Sequence, residues 1–115
     1  MNAKEKLRPL YEALDSKQAH DIELIDISRI SPLADYFILA SAGSKSQMDA
    51  MLDAVDECCA KNHMEHRRAE GSFLSGWMLV DMGDVILHLF SDDKRDFYNL
   101  SHIWRDGVFL KEQDI

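Results

Sequence analysis

Two short apolar runs, residues 77–81 and 85–90, lie on either side of a turn that contains Gly83. Both runs have the length of a strand and contain aromatic or β-branched residues, and glycine suits the tight turn between antiparallel strands. The pattern predicts a β-hairpin, and the rest of the chain is organised around it.

The strand pairing expected in this hairpin follows from its loop. If Met82 and Gly83 form a two-residue loop, the opposing residues on one face are Trp77 with His88 and Leu79 with Ile86. Those on the other face are Met78 with Leu87 and Val80 with Val85. Both faces are mostly apolar, whereas a sheet with one face in water alternates apolar and polar residues along each strand. Both faces must therefore be covered.

The second cover has two candidate sources. One is a further set of helices from this chain, and the other is a second protein. The stripe that carries Trp77, Leu79, His88 and Phe90 has the composition of a binding surface, because aromatic anchors supply most of the energy of interfaces.

The first helix is predicted from a capping pattern at Asn2 and Glu5 and from an apolar stripe formed by Leu7, Leu10, Tyr11 and Leu14. Pro9 interrupts this pattern, and proline inside a helix costs roughly 3 kcal/mol. We therefore expect the regular helix to begin near Pro9 and residues 1–7 to fray.

The segments between this helix and the hairpin alternate between strand and helix patterns. The expected elements are strands at residues 20–27, 35–41 and 65–68, a helix from Ser44 to near Asn62, and a flexible connection at residues 70–76. The strands are rich in apolar and β-branched residues, and Ser44 and Gln47 form a capping box ahead of an amphipathic helix.

After the hairpin, Ser91 and two aspartates favour the start of a last helix, which we expect to end at Gly107. Its apolar residues are Phe97, Tyr98, Leu100, Ile103 and Trp104. Arg95 is expected to pair with Asp92 or Asp93. Residues 108–115 are expected to lie on the domain through Phe109 and to fray from residue 110.

These elements predict one α/β domain, residues 1–115, with a mixed β-sheet flanked by helices. A chain of 115 residues is long enough to bury one core and too short for two.

The charge of the chain limits its partners. The formal net charge is −8, with 21 acidic and 13 basic side chains, which argues against direct binding to nucleic acid. An acidic protein can still act at a nucleoprotein particle by docking on a basic protein. The sequence has no signal segment and no apolar run of the ~18–20 residues that span a bilayer, so we expect a cytoplasmic protein without membrane contact.

The sequence contains no assembled catalytic site. Gly43 and Ser44 precede a helix as in phosphate-binding turns, but no carboxylate pair is placed to hold a metal beside them. Asp81 and Asp84 flank a tight turn and are assigned as turn residues rather than cation ligands. His88 has no nucleophile or carboxylate beside it and is assigned as a neutral core histidine.

The two cysteines are assigned to the core rather than to a zinc site. Cys58, Cys59, His63 and His66 are four potential ligands, but their spacing matches no established finger. Adjacent cysteines in a helix also point about 100° apart. We expect a buried pair of free thiols, and we assign no cofactor or metal.

Several motifs resemble the ribosomal silencing factor family, also called RsfS or Iojap. They are Asp35-Tyr36-Phe37-x-x-Ala40, Ser44 with Gln47, Glu70-Gly71, Trp77-x-x-x-Asp81-x-Gly83-Asp84-Val85-x-x-His88-x-Phe90, Arg95-x-Phe97-Tyr98-x-Leu100, and Trp104. The resemblance extends over about residues 15–106. Ser46 stands where members usually have Arg, and Pro9 and the position of Gly43 also depart from the family pattern.

The resemblance implies a fold similar to nucleotidyltransferases without their catalytic carboxylates. It implies a binding protein that docks on the fourteenth protein of the large ribosomal subunit, blocks joining of the small subunit and lowers translation when nutrients are scarce. The implied contact residues are Trp77, Leu79, Asp81, His88, Phe90, Arg95, Tyr98 and Leu100.

Two rival hypotheses remain at this point. One is an enzyme of the nucleotidyltransferase class, which predicts saturable nucleotide and magnesium binding that depends on Asp81 or Asp84. The other is a homodimer that hides the hairpin face against a second copy.

Overall fold

A computed structural model describes residues 1–65 and 68–115 of the protein. The helices are α1 (Ala3–Ser16), α2 (Lys45–Lys61), α3 (Asp92–Tyr98) and α4 (Leu100–Ile103). The strands are β1 (His20–Asp26), β2 (Tyr36–Ala42), β3 (Arg68–Ser72), β4 (Trp77–Asp81), β5 (Val85–Ser91) and β6 (Val108–Leu110). A short 3-10 turn, Glu112–Asp114, follows β6.

Within the described ranges, the six strands form one mixed sheet in the order β3-β4-β5-β2-β1-β6. β2 and β5 run parallel, and the other neighbouring strands are antiparallel. The mixed sheet in a single compact domain confirms the predicted fold class.

The two faces of the sheet are covered unequally. On one face α1 and α2 bury a large core, to which Leu7, Leu10, Met48, Met51 and Val55 contribute from the helices. On the other face the short helices α3 and α4 cover a smaller core, with Phe37, Leu39, Phe90 and Leu100 buried. The helices α3 and α4 therefore cover only part of the second face of the sheet.

The hairpin forms where it was expected, but its pairing is two residues away from the predicted register. Trp77 lies opposite Phe90 and Leu79 opposite His88. The loop consists of Gly83 and Asp84, because the Met82 N–H already bonds to the carbonyl of Val85 at 3.0 Å. Gly83, at φ 87°, takes the positive-φ position of this turn, which favours glycine. The predicted pairing was wrong, but a shift of two residues leaves every side chain on its predicted face.

The first helix begins at Ala3 and not near Pro9. Asn2 and Glu5 form a reciprocal capping box, with the Glu5 N–H donating to Asn2 Oδ1 at 2.8 Å. Leu7 is fully buried before the proline, so packing and capping hold the first turns. The expectation that residues 1–7 fray is corrected by this structure.

The middle of the chain matches the prediction at α2 and departs from it afterwards. Ser44 accepts the Gln47 N–H at 3.1 Å, while the Gln47 side chain accepts the N–H of Gly43 instead of Ser44. The third strand is Arg68–Ser72 rather than residues 65–68, so the first part of the expected flexible connection, residues 70–72, is strand. Residues 66–67 of the predicted strand lie outside the described residues.

The C-terminal region differs most from the prediction. Asn99 adopts a left-handed conformation, with φ 45°, that divides the expected last helix into α3 and α4. Residues 108–110 pair with β1 as an edge strand, and Arg8 donates to the carbonyl of Ile115 at 2.7 Å. The predicted fraying tail is thus a strand and a turn held against α1.

None of the helices in the described part of the chain is both long and apolar enough to cross a lipid bilayer.

The first prediction concerns Pro9. Pro9→Ala restores an N–H donor and removes the clash of the ring with the preceding turn, and we expect the free energy of unfolding to rise by about 2 kcal/mol. Pro9→Gly is the matched control and is expected to gain less, because glycine is a poorer helix former. Urea denaturation measures both. A loss of stability in Pro9→Ala would show that packing of the ring outweighs its cost.

Candidate docking site

A layer of aromatic rings occupies the second face of the sheet around β4, β5 and α3. The Trp77 ring lies 5.6 Å from Phe90 and 4.8 Å from Tyr98, centroid to centroid. Phe37 meets His88 edge-on at 4.6 Å. Such offset and edge-on pairs stabilise each other beyond the area they bury, so the rings of this layer support one another's orientation.

His88 is the polar centre of this layer. The indole Nε1–H of Trp77 donates to His88 Nδ1 at 3.1 Å, which requires the imidazole proton to lie on Nε2. No acceptor among the described residues reaches the buried Nε2. Burial lowers the pKa of His88 to about 4, so the imidazole is neutral at physiological pH.

Above this layer the surface is open. A shallow cavity of about 310 Å³ is lined by Glu70, Gly71, Ser75, Trp77, Leu79 and Tyr98. Trp77, Leu79 and Tyr98 are each partly exposed, so the cavity has an aromatic and aliphatic floor that is open to solvent.

A hydrogen bond and a close backbone contact hold the segments around the cavity together. The Tyr98 hydroxyl donates to the carbonyl of Ser75 at 3.1 Å, which ties α3 to the β3–β4 loop. A Cβ at Gly71 would overlap the carbonyl oxygen of Trp77, so only glycine lets β3 approach β4 here. Ser75 is a cavity residue that the sequence did not single out, since a serine in a Gly-containing loop is typical of turns.

Three residues of the predicted contact set are covered by the chain itself. His88 is 4% exposed, Phe90 0% and Leu100 8%. The structure therefore corrects their placement on the outer surface. His88 and Phe90 lie beneath Trp77 and Tyr98, and Leu100 is buried in the same core cluster as Phe90, so the three support the surface and do not form its outer layer.

The two charged residues of the predicted set also have internal partners. Asp81 accepts the N–H of Gly83 at 2.8 Å and is a turn residue, as assigned. Arg95 does not pair with Asp92 or Asp93 as expected; it forms an ion pair with Glu23 at 2.6 Å. Arg95 is thus directed away from the cavity, toward β1.

The turn carboxylates and the cysteines, the other candidates for chemistry in the sequence, have contacts within the chain or are buried. Asp84, the other turn carboxylate, pairs with Lys6 at 2.7 Å. Among the described residues, no three histidine, cysteine or carboxylate side chains are grouped to hold a metal. Both cysteines are buried and free, and burial raises the pKa of the Cys59 thiol to about 11, which disfavours the thiolate that a metal requires. His66 lies outside the described residues. The arrangement suits docking through an apolar surface.

The second prediction concerns acid stability. Because the folded pKa of His88, about 4, is below its ordinary 6.5, the unfolded chain binds this proton first as the pH falls. Above pH 6.5 the neutral His88 side chain makes its full contribution to the free energy of unfolding. About 3 kcal/mol of that free energy is lost as the pH falls to 4. Urea denaturation against pH measures it, with His88→Phe as the control that lacks this titration. Parallel pH profiles for the two proteins would contradict the assignment.

Comparison with known proteins identifies relatives along the whole chain. The family model described as "Ribosomal silencing factor during starvation" matches residues 1–115. A Bacillus subtilis protein named ribosomal silencing factor RsfS is 37% identical over 107 residues, which are 93% of this chain and 91% of the relative. A Halalkalibacterium halodurans protein of the same name is 32% identical over 115 residues, covering 100% of this chain and 98% of the relative.

Two further matches agree with these. The Arabidopsis thaliana protein named Iojap, chloroplastic, is 32% identical over 95 residues, which are 82% of this chain and 39% of that longer protein. A crystal structure of a Chromobacterium violaceum protein superposes with a TM-score of 0.84 at 29% identity, covering 90% of this chain and 87% of that one. The chain therefore belongs to the ribosomal silencing factor (RsfS) family.

Proposed function

We propose that this protein docks on the fourteenth protein of the large ribosomal subunit and blocks joining of the small subunit, without catalysing a reaction. The observation that carries the proposal is the partly exposed surface of Trp77, Leu79 and Tyr98 around the cavity, which we call the docking surface. Family membership indicates silencing of ribosomes, and the docking surface supplies a contact for it.

The geometry of the docking surface favours tight binding. The Trp77 indole is fixed by its hydrogen bond to His88 and by stacking on Phe90, and Tyr98 is fixed by its bond to Ser75. Side chains that are already ordered lose little conformational entropy on binding, so more of the contact energy appears as affinity. Trp and Tyr are also the residues most often found as interface anchors.

The charge of the protein supports a protein partner rather than RNA. A chain with a formal net charge of −8 repels phosphates, whereas it attracts a basic ribosomal protein and speeds the encounter with it. We therefore propose little or no direct contact with ribosomal RNA, and action in the cytoplasm, where ribosomal subunits are free to associate.

The proposed mechanism is steric exclusion. A folded domain about 33 by 32 by 26 Å, bound on the surface that faces the small subunit, prevents the two subunits from closing. No bond is broken, and release of the protein restores joining. Lowered translation under nutrient limitation follows from the fraction of large subunits that carry the protein.

The third prediction tests the anchor. We expect Trp77→Ala to weaken binding to purified large subunits by about 2 kcal/mol, or about 30-fold, and to raise the concentration needed to inhibit subunit joining by about the same factor. Co-sedimentation with large and small subunits measures binding. The matched control is Val108→Ala, which truncates an exposed apolar residue on β6, at the far end of the sheet from the hairpin.

Three outcomes would contradict the proposal. They are unchanged binding of folded Trp77→Ala, saturable nucleotide and magnesium binding that requires Asp81 or Asp84, and a dimer that persists when large subunits are added in excess.

A further inference from the structure

We infer that Arg95 is a positioning residue of the docking surface, which holds α3 so that Tyr98 stays against Trp77. The inference rests on the function proposed above, and it gives Arg95 a role different from direct contact with the partner. It follows from the contacts of Arg95, from the backbone of β1 and from the short length and exposure of α3.

The guanidinium of Arg95 joins three elements. It forms the ion pair with Glu23 of β1 at 2.6 Å and donates to the carbonyl oxygen of Asp21 at 2.7 Å. It also donates to Ser41 Oγ of β2 at 3.4 Å. Only 11% of the Arg95 side chain is exposed, so its positive charge interacts with partners within this chain rather than with solvent.

The backbone of β1 is distorted where it meets Arg95. The pairing of β1 with β2 is irregular between His20 and Glu23, and Asp21 has φ 49°, a left-handed conformation that costs a non-glycine residue free energy. The Asp21 carbonyl of this bulge is the one that accepts from Arg95. The hydrogen bond from Arg95 therefore offsets part of the free-energy cost of the left-handed backbone at Asp21.

α3 is also anchored at each end, where Asp92 lies 3.0 Å from His20 Nδ1 and the Tyr98 hydroxyl donates to the Ser75 carbonyl at 3.1 Å. It is 7 residues long, none of its residues is buried, and Ser91 at its N-cap makes no side-chain capping bond in the described structure. Arg95 and Tyr98 stand three positions apart, which places them on neighbouring parts of one helix surface. Both lie over Phe90, with the Arg95 guanidinium 5.7 Å and the Tyr98 ring 5.9 Å from its centroid. Loss of the Arg95 contacts would remove the anchor at the middle of α3, and the single hydroxyl bond from Tyr98 to Ser75 would then not keep the Tyr98 ring against Trp77.

The test compares Arg95→Gln, Glu23→Gln and the double variant for affinity to large subunits. If Arg95 acts through Glu23, each single variant weakens binding by at least about fivefold, and the double variant is no weaker than the worse single one. The substitutions change the net charge in opposite directions, so long-range attraction to a basic partner cannot produce a loss in both. Arg95→Lys should bind more tightly than Arg95→Gln, because the lysine ammonium can keep the ion pair with Glu23 but cannot make all the hydrogen bonds of the planar guanidinium.

Two matched controls carry the same charge changes elsewhere. Arg105→Gln changes an exposed arginine beyond α4, and Glu12→Gln changes an exposed glutamate on α1. Both should bind like the unaltered protein. Circular dichroism confirms that each variant is folded.

A second readout needs no ribosome. In a Trp104→Phe background Trp77 is the single tryptophan, and acrylamide quenching of its fluorescence should increase in Arg95→Gln and Glu23→Gln as Tyr98 moves away. Weaker binding in Arg95→Gln alone, with Glu23→Gln unchanged in binding and quenching, would make Arg95 a direct contact and overturn the inference. Unchanged quenching in both variants would also overturn it. Failure of the unaltered protein to bind large subunits would instead contradict the proposed function, and the quenching measurement would still decide the role of Arg95.

Discussion

Both faces of the central sheet are apolar, and each face must be removed from water. α1 and α2 cover one face with a large core. For the other face the described chain provides the 7 residues of α3 and the 4 residues of α4, which bury Phe90 and Leu100 but leave Trp77 and Leu79 partly exposed. The exposed part of the second face is therefore a direct consequence of how little helix is placed over it, and it supplies the apolar surface for a partner.

The contacts beneath the second face also orient its exposed residues. The sheet fixes Phe90 and His88 from below, and His88 holds the Trp77 indole through a hydrogen bond of 3.1 Å. Burying an imidazole with one unpaired N–H costs free energy, so this arrangement is not the most stable way to fill the space. It does fix the orientation of an exposed indole, and an ordered anchor binds with a smaller entropic cost.

Local patterns predicted the hairpin, α2 and the face of each hairpin residue, because side chains alternate with a period of two whatever the register. The register itself depended on whether Met82 belongs to the loop, which composition does not decide. The internal role of Arg95 depends on contacts with Asp21 and Glu23, which lie 74 and 72 positions earlier in the chain. Contacts of that separation leave no local signal. Local patterns assigned His88 to the core and paired Arg95 with Asp92 or Asp93, and the placement of both on the outer surface came from the family resemblance.

The most direct test of the docking surface is a photo-crosslinking amino acid placed at Leu79 and, as the control, at Asp53 on the exposed side of α2. After irradiation with purified large subunits, mass spectrometry identifies the attached protein. The account predicts that the Leu79 variant attaches to the fourteenth protein of the large subunit and that the Asp53 variant does not. Attachment from Asp53 alone, or from Leu79 only to a second copy of this chain, would contradict it.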